Sequence, residues 1–278
     1  MKGRRVSCTS GSRRKGCLVA SPVLAARFQG KAVLITGGDR GIGAAVARRL
    51  GAEGAAVAIC YRRDAVAAEQ VVAELEAAGV RAAAIQGDVV ELDQVRRLVE
   101  RTVAELGRLD VLVCCAGVEH FGKLEELTPA DFERVFAINT RGQLFAVQHA
   151  AARMRTGARI VLTSSISARR AVFFHTLYAA SKAAVESMVL SLSAELGQRG
   201  IAINAVAPGG TATDMAAEFG SRYRHPELNV PVEQWLKLQG ALGRLATPSE
   251  IAAAYAFLAS DDASYMTGRT LQLDGGYF

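Results

Sequence analysis

The chain has 278 residues, half of them apolar, which suits one large α/β domain or two small ones and allows a sizeable buried core. No apolar run reaches the length of a bilayer span, so the sequence carries no sign of a membrane helix. The net charge of +6 is concentrated in residues 1–27, which hold seven basic residues and no acid; beyond them 26 basic residues face 27 acidic ones, a net −1 that offers nothing to a nucleic-acid partner.

In chain order, residues 1–27 (Lys2, Arg4, Arg5, Arg13, Arg14, Lys15 and Arg27 among them) read as a basic, disordered extension. A targeting segment and a polyanion-binding arm are the competing readings. Residues 28–278 read as a single domain. Ala32–Ile35 is the first strand, ending in a glycine-rich turn, and Gly41–Glu53 is a helix. Ala56–Cys60 is the second strand, Ala65–Ala78 a helix, and Arg81–Ile85 the third strand. In Leu92–Leu106 the residues Val95, Leu98, Val99, Val103 and Leu106 share one helical face. Val111–Cys115 is the fourth strand and Pro129–Arg153 one long helical region. Ile160–Thr163, Tyr178–Gly197, Ala202–Ala205, Thr247–Leu258 and Thr270–Leu273 follow as strand, helix, strand, helix and strand. Met215–Gln239 is too long for an ordinary connection and reads as an active-site lid. Short connections between alternating strands and helices imply right-handed βαβ units. The expected fold is therefore α/β, a single doubly wound, Rossmann-like parallel sheet with helices on both faces and ligands beyond the strands' carboxyl ends. Cys8, Cys17, Cys60, Cys114 and Cys115 lack metal-ligand spacing and read as free thiols in a reducing cytoplasm, with no metal expected.

The turn Thr36-Gly37-Gly38-Asp39-Arg40-Gly41-Ile42-Gly43 follows a strand and opens a helix. In that context glycines let backbone amides approach a pyrophosphate, and the helix start adds unpaired N–H groups. NAD-binding sheets usually place a carboxylate after the second strand; this chain has Tyr61-Arg62-Arg63. Two guanidinium groups, joined by Arg40, suit the 2′-phosphate of NADP(H), with a solvated surface charge as the competing reading for each arginine. Asp88 is a candidate acceptor for the adenine amino group, with helix capping as its competing role. Val89, Ala116, Gly117, Pro208, Gly209 and Thr211 sit after strands where the nucleotide should lie.

Tyr178 and Lys182 are four apart at a helix start and so share one face. The lysine's charge is expected to lower the tyrosine pKa toward a useful range. Ser165, thirteen residues upstream at a strand end, could hold a substrate oxygen, with neighbouring Ser164 as the competing choice. Five ordered motifs now stand together: Thr36 to Gly43, Asn139 in Ile-Asn-Thr, Ser165 before Tyr178-x-x-x-Lys182, Pro208-Gly209, and Asp274-Gly275-Gly276. From about Gly30 to Phe278 the chain resembles the short-chain dehydrogenase/reductase family. The resemblance implies that Tyr178 exchanges the proton, Lys182 lowers its pKa and holds the nicotinamide ribose, and Ser165 orients the substrate oxygen. It also implies that Asn139 supports a water-linked relay, that Thr213 bonds the nicotinamide carboxamide, and that the chain forms a homotetramer through Pro129–Arg153 and Tyr178–Gly197. Cys114-Cys115 departs from the family's usual Asn-Asn, and cysteine is a weak hydrogen-bonding substitute.

Gly117-Val118-Glu119, Phe132 through Gln143, and Pro208 through Met215 are similar to hydroxynaphthalene and versicolorin-type ketone reductases. The expected activity is NADPH-dependent reduction of a cyclic or aromatic ketone, with a small-molecule partner. An oxidative dehydrogenase of an alcohol, sugar or steroid is the alternative, and a catalytically silent nucleotide sensor a third reading. Phe173, Phe174 and His175 on one side, with Met215, Phe219, Tyr223 and Trp235 on the other, are expected to wall a flat substrate; for Trp235, anchoring the lid is the favoured role.

Overall fold

The computed structural model of the chain describes residues 26–228 and 230–277. The extension expected over 1–27 lies outside them apart from its last two positions, and Arg27 corrects that boundary. Its guanidinium bonds both oxygens of buried Glu53, at 2.6 and 2.9 Å, and Asp262 at 2.7 Å, so it belongs to the folded domain.

Seven strands form one sheet: β1 (Ala32–Thr36), β2 (Ala56–Tyr61), β3 (Ala82–Gln86), β4 (Val111–Cys114), β5 (Arg159–Thr163), β6 (Ala202–Pro208) and β7 (Thr270–Leu273). Their order is β3-β2-β1-β4-β5-β6-β7, and every pairing is parallel, with Ile35 beside both Ile59 and Val113. The apolar strands are buried on both faces, as parallel sheets require. Leu34, Leu112 and Ile160 point to a core shared with helices α3 (Leu92–Leu106), α5 (Gly142–Ala151) and α6 (Thr176–Gly197). Val33, Ile35 and Val113 point the other way, against α1 (Gly41–Ala52), α2 (Ala65–Ala77) and α9 (Pro248–Ala259). The strand order reverses between β1 and β4, which opens a crevice at their carboxyl ends. No described helix is long and apolar enough to cross a membrane.

The region expected as one helix over Pro129–Arg153 is interrupted. Thr128 and Asp131 form a capping box, with Pro129 in the first turn, that starts α4 (Pro129–Phe136). A π-helical turn, Ala137–Arg141, then separates it from α5. The Gln143 side chain donates to the Asn139 carbonyl at 2.7 Å and to Thr163 O at 3.2 Å. Those bonds satisfy backbone at the widened turn and tie it to β5. Such turns recur at functional sites because they re-aim a side chain without ending the helix. The segment Met215–Gln239 is not structureless either. It contains α7 (Asp214–Phe219), a 3-10 turn (Gly220–Tyr223) and α8 (Val232–Gln239).

Candidate active site

The glycine turn is built for close approach. Gly37 has φ +66°, and a Cβ there would lie 2.8 Å from the amide nitrogen of Ala116. A Cβ on Gly43 would lie 2.0 Å from the Gly37 carbonyl, so the turn folds onto α1 only with glycine at that place. The Thr213 methyl packs beside Gly41, and Ile42 is half-buried next to it. The result is a narrow backbone cradle at the start of α1.

Beyond β2, Tyr61 is half-buried and Arg62 and Arg63 are exposed. Arg62 stands 3.8 Å from Asp88, and exposed Arg40 stands 3.8 Å from Asp39, both loose pairings that leave guanidinium donors free for another anion. Asp64 caps α2 by accepting from Ala67 N at 3.0 Å. Asp88 caps no helix; it accepts from Val90 N at 3.0 Å in the turn after β3. Val89 is buried against Gly142.

The chemical groups gather on the far side of the crevice. Tyr178, Lys182, Ser165 and Asn139 are all buried. Lys182 Nζ donates to Thr163 O at 3.0 Å and lies 5.5 Å from the centroid of the Tyr178 ring. Asn139 Nδ2 donates to Val118 O (3.0 Å) and Ser181 Oγ (3.1 Å), while its Oδ1 accepts from Val118 N (2.9 Å). It thereby locks the loop after β4 to α6. A Cβ on Gly117 would sit 3.3 Å from Asn139 Oδ1 and 3.6 Å from Lys182 Nζ, so glycine keeps that corner open. Of the two serines, Ser164 Oγ bonds Lys182 O (3.2 Å) and Glu186 (3.1 Å), whereas the Ser165 hydroxyl accepts from Ser167 N at 3.2 Å and neighbours the Tyr178 phenol. Thr211 is buried and donates to Gly209 O, beyond Pro208 at the end of β6. The Thr213 hydroxyl accepts from Ala216 N at 3.3 Å as the cap of α7.

The electrostatics of the pair are dominated by burial. Burial, reinforced by the negative charge of Glu119, pushes the Tyr178 phenol well above its ordinary range, against the opposing Ser165 hydrogen bond. Burial holds Lys182 down to about 8, opposed by Glu119. Desolvation of the phenol is the largest influence and keeps its pKa raised even with Lys182 nearby. Cys114-Cys115 brings a second surprise. The bracing expected from asparagines comes from hydroxyls: Thr163 donates to Cys114 O and meets Tyr255 at 2.7 Å, and Thr36 Oγ1 accepts from Ala116 N at 3.4 Å. Burial pushes the Cys60 and Cys115 thiols up to about 12 and 11, leaving them unreactive.

Glu119 and Phe121 have a place here that sequence reasoning did not assign them. Buried Glu119 accepts from Tyr223 Oη at 2.5 Å and meets His175 Nε2 at 2.6 Å. The His175 ring stacks on Tyr178 at 4.7 Å and on Phe121 at 4.4 Å. Phe121 in turn lies near Phe219 and edge-on to Tyr223. Of the aromatic walls, Phe173 and Phe174 are substantially exposed, while Trp235 is buried in α8.

A protein-family profile described as Enoyl-(Acyl carrier protein) reductase matches residues 37–278. The chain is 41% identical over 254 residues to a short-chain dehydrogenase/reductase of Pestalotiopsis microspora, covering 90% of this chain and 96% of that protein. The chain belongs to the short-chain dehydrogenase/reductase family, as fold and site geometry also indicate. Within it, similarity extends to versicolorin reductase 1 of Aspergillus parasiticus: 40% identity over 259 residues, 91% of this chain and 98% of that one. Among solved structures, a short-chain dehydrogenase from Burkholderia cenocepacia in complex with NADP superposes with a TM-score of 0.82 at 40% identity. A blue fluorescent protein from a metagenomic library, in complex with NADPH, does so with the same score at 41%. Each match covers 90% of this chain and 98% of the other.

Proposed function

We propose that the chain is an NADPH-dependent reductase that converts a cyclic or aromatic, polyketide-like ketone to an alcohol. The observation that carries this reading is the convergence of Tyr178, Lys182 and Ser165 beside the glycine cradle. The nucleotide suits the residues present. Gly37, Gly41, Ile42 and Gly43 would take the pyrophosphate, and Arg40, Arg62 and Arg63 the 2′-phosphate. Tyr61, Asp88 and Val89 would border the adenosine. Ala116, Gly117, Pro208, Gly209, Thr211 and Thr213, with Tyr178 and Lys182, would border the nicotinamide half. When bound, NADPH supplies the hydride.

The protein's own part is proton transfer. Ser165 holds the carbonyl oxygen. Tyr178 gives its phenolic proton to that oxygen as the carbonyl carbon gains the hydride: a C–H and an O–H bond form, and the C=O π bond breaks. The Lys182 cation stabilises the phenolate left behind. Asn139 holds Val118 and Ser181 in place at the point where the relay implied by the family would return a proton. Aromatic faces at Phe121, Phe219 and Tyr223 favour a flat substrate.

NADPH oxidation by the purified chain across a carbonyl panel tests this. Bicyclic ketones of the tetralone kind should exceed short aliphatic ketones and sugars by about a hundredfold in kcat/KM; parity would remove the flat-substrate reading. NADPH should bind at least about tenfold tighter than NADH, and Arg62→Ala should erase much of that gap. A cytoplasmic homotetramer associating through α4–α5 and α6 completes the reading. Exposed Leu190 on α6 supports that interface, and light scattering that finds only monomer at micromolar concentration would contradict it.

A further inference from the structure

Three loops converge on the outer face of Tyr178. The first, after β4, brings Glu119 and Phe121. The second, before α6, brings Phe174 and His175. The third is the lid, which brings Tyr223. The side chains of Glu119, Phe121, His175 and Tyr223 form a continuous chain of contacts that ends on Tyr178. Tyr223 Oη donates to Glu119 Oε2 at 2.5 Å, and Glu119 Oε1 meets His175 Nε2 at 2.6 Å. The His175 ring lies nearly parallel to that of Tyr178, 4.7 Å away and tilted by 21°.

Both Glu119 and His175 are almost fully buried, an expensive arrangement for an acid and an imidazole. The carboxylate is well satisfied, because His120 N also donates to it at 2.9 Å. The histidine is not, since its Nδ1 has no partner. One ring nitrogen thus fixes the orientation while the other goes without a bond, so the gain lies in where the ring is held. The backbone shows the same compulsion. Phe174 takes φ +62°, rare for a bulky side chain, and its carbonyl accepts from Gly122 N at 2.8 Å, clamping the second loop to the first.

We infer that Glu119, acting through His175, is a positioning residue for the Tyr178 phenol, and that Tyr223 joins this support to the lid. The inference rests on Tyr178 being the proton donor, as proposed above. The groups around the phenol are Ser165 from beyond β5, Lys182 from α6, His175, Glu119 and Tyr223; His120 is turned toward Asp131 at 3.5 Å. The carboxylate's charge raises the pKa of both Tyr178 and Lys182. Reduction needs the phenol protonated and the lysine charged, so removing that charge should bring the loss of both forms to lower pH.

The test is the pH profile of kcat with NADPH for Glu119→Gln in the full chain. The alkaline limb should move to lower pH by about half a unit or more. At the optimum kcat should fall by up to about a hundredfold, with NADPH affinity retained. A lower melting temperature and lower kcat with the limb unmoved would mark the pair as merely structural and overturn the inference. If Glu119→Gln does not fold, Glu119→Asp replaces it. That variant keeps the charge but withdraws it from His175, so kcat should fall several-fold with the limb in place; wild-type kcat would overturn the inference. Tyr178→Phe separates the two readings. If it retains turnover, the proton-donor assignment itself fails; if it is inactive while Glu119→Gln behaves as wild type, only the positioning role fails.

Discussion

The floor of the crevice and its roof are made by different means. The floor stands on regular elements: Ser165 just beyond β5, Tyr178 and Lys182 on the first turns of α6, Asn139 in a π-helical turn braced by Gln143. Its groups are buried, and their hydrogen bonds run to backbone of neighbouring elements. The roof is α7, a 3-10 turn and α8. It is held by Tyr223 on Glu119, Arg170 on Gln239 and the buried Trp235, while Met215, Leu228, Val232 and Leu238 remain exposed. The groups proposed to move a proton, a step that tolerates little displacement, stand on rigid elements; the proposed recognition of a flat substrate, which tolerates more, falls to short helices on a long connection.

The largest effect should come from the floor. Tyr178→Phe deletes the transferable proton and hardly any contact area. Turnover should fall by about 10²–10⁴ with NADPH binding retained, measured by stopped-flow and nucleotide fluorescence. Substantial activity in pure protein would break the contrast at once.

Lys182→Met would expose what the floor costs. The lysine is buried with its pKa held down to about 8, so it is harder to charge in the folded chain than in the unfolded one. The unfolded chain binds more protons through that window, so wild-type stability should recover as pH rises from about 8 to the ordinary lysine range. Methionine removes the penalty. Denaturant unfolding at pH 7 should show a variant more stable by up to about 3 kcal/mol, inactive, and without that alkaline gain. A less stable variant would mean that the Thr163 hydrogen bond outweighs desolvation.

In the roof, Phe219→Ala removes a ring from the Phe121 stack. It should lower kcat/KM for bicyclic ketones by about tenfold and leave small ketones nearly unchanged. Equal losses for both would mean that the roof shapes the floor rather than the substrate.

The smallest effect lies at the domain's edge. Arg27→Ala leaves buried Glu53 with Arg49 alone and should cost about 1–2 kcal/mol in urea unfolding, without changing turnover. Burial pushes the Glu53 carboxyl up, but Arg27 and Arg49 outweigh it and hold it below the ordinary range. The stabilisation is therefore present above the ordinary carboxylate range and lost as pH falls through the depressed folded value, so the cost of the variant should shrink in acid. A chain beginning at residue 28 should behave like Arg27→Ala.

Much of the fold was legible because it is encoded locally. Strand runs such as Ala32–Ile35 and Val111–Cys115 were recognisable as apolar segments, and the Val95–Leu106 face by its period; the structure moves most of their ends by a residue or two. The break at Ala137–Arg141 was not legible, since it depends on a bond between Gln143 and β5 that no helical period encodes. The helices inside Met215–Gln239 were missed because their exposed apolar residues blur the amphipathic pattern.

From sequence alone came the sheet class, the glycine turn, the spacing of Tyr178 and Lys182 and the arginines after β2, because each is a matter of residue type at short separation. Tertiary structure decided that the Ser164 hydroxyl turns to Lys182 O and Glu186, that Thr163 and Thr36 brace the sheet beside Cys114 and Cys115, and that burial raises the Tyr178 pKa. It also decided that Glu119 and His175, 56 positions apart, share one buried contact. Those outcomes depend on desolvation and on contacts between distant segments, and both exist only once the chain has closed around them.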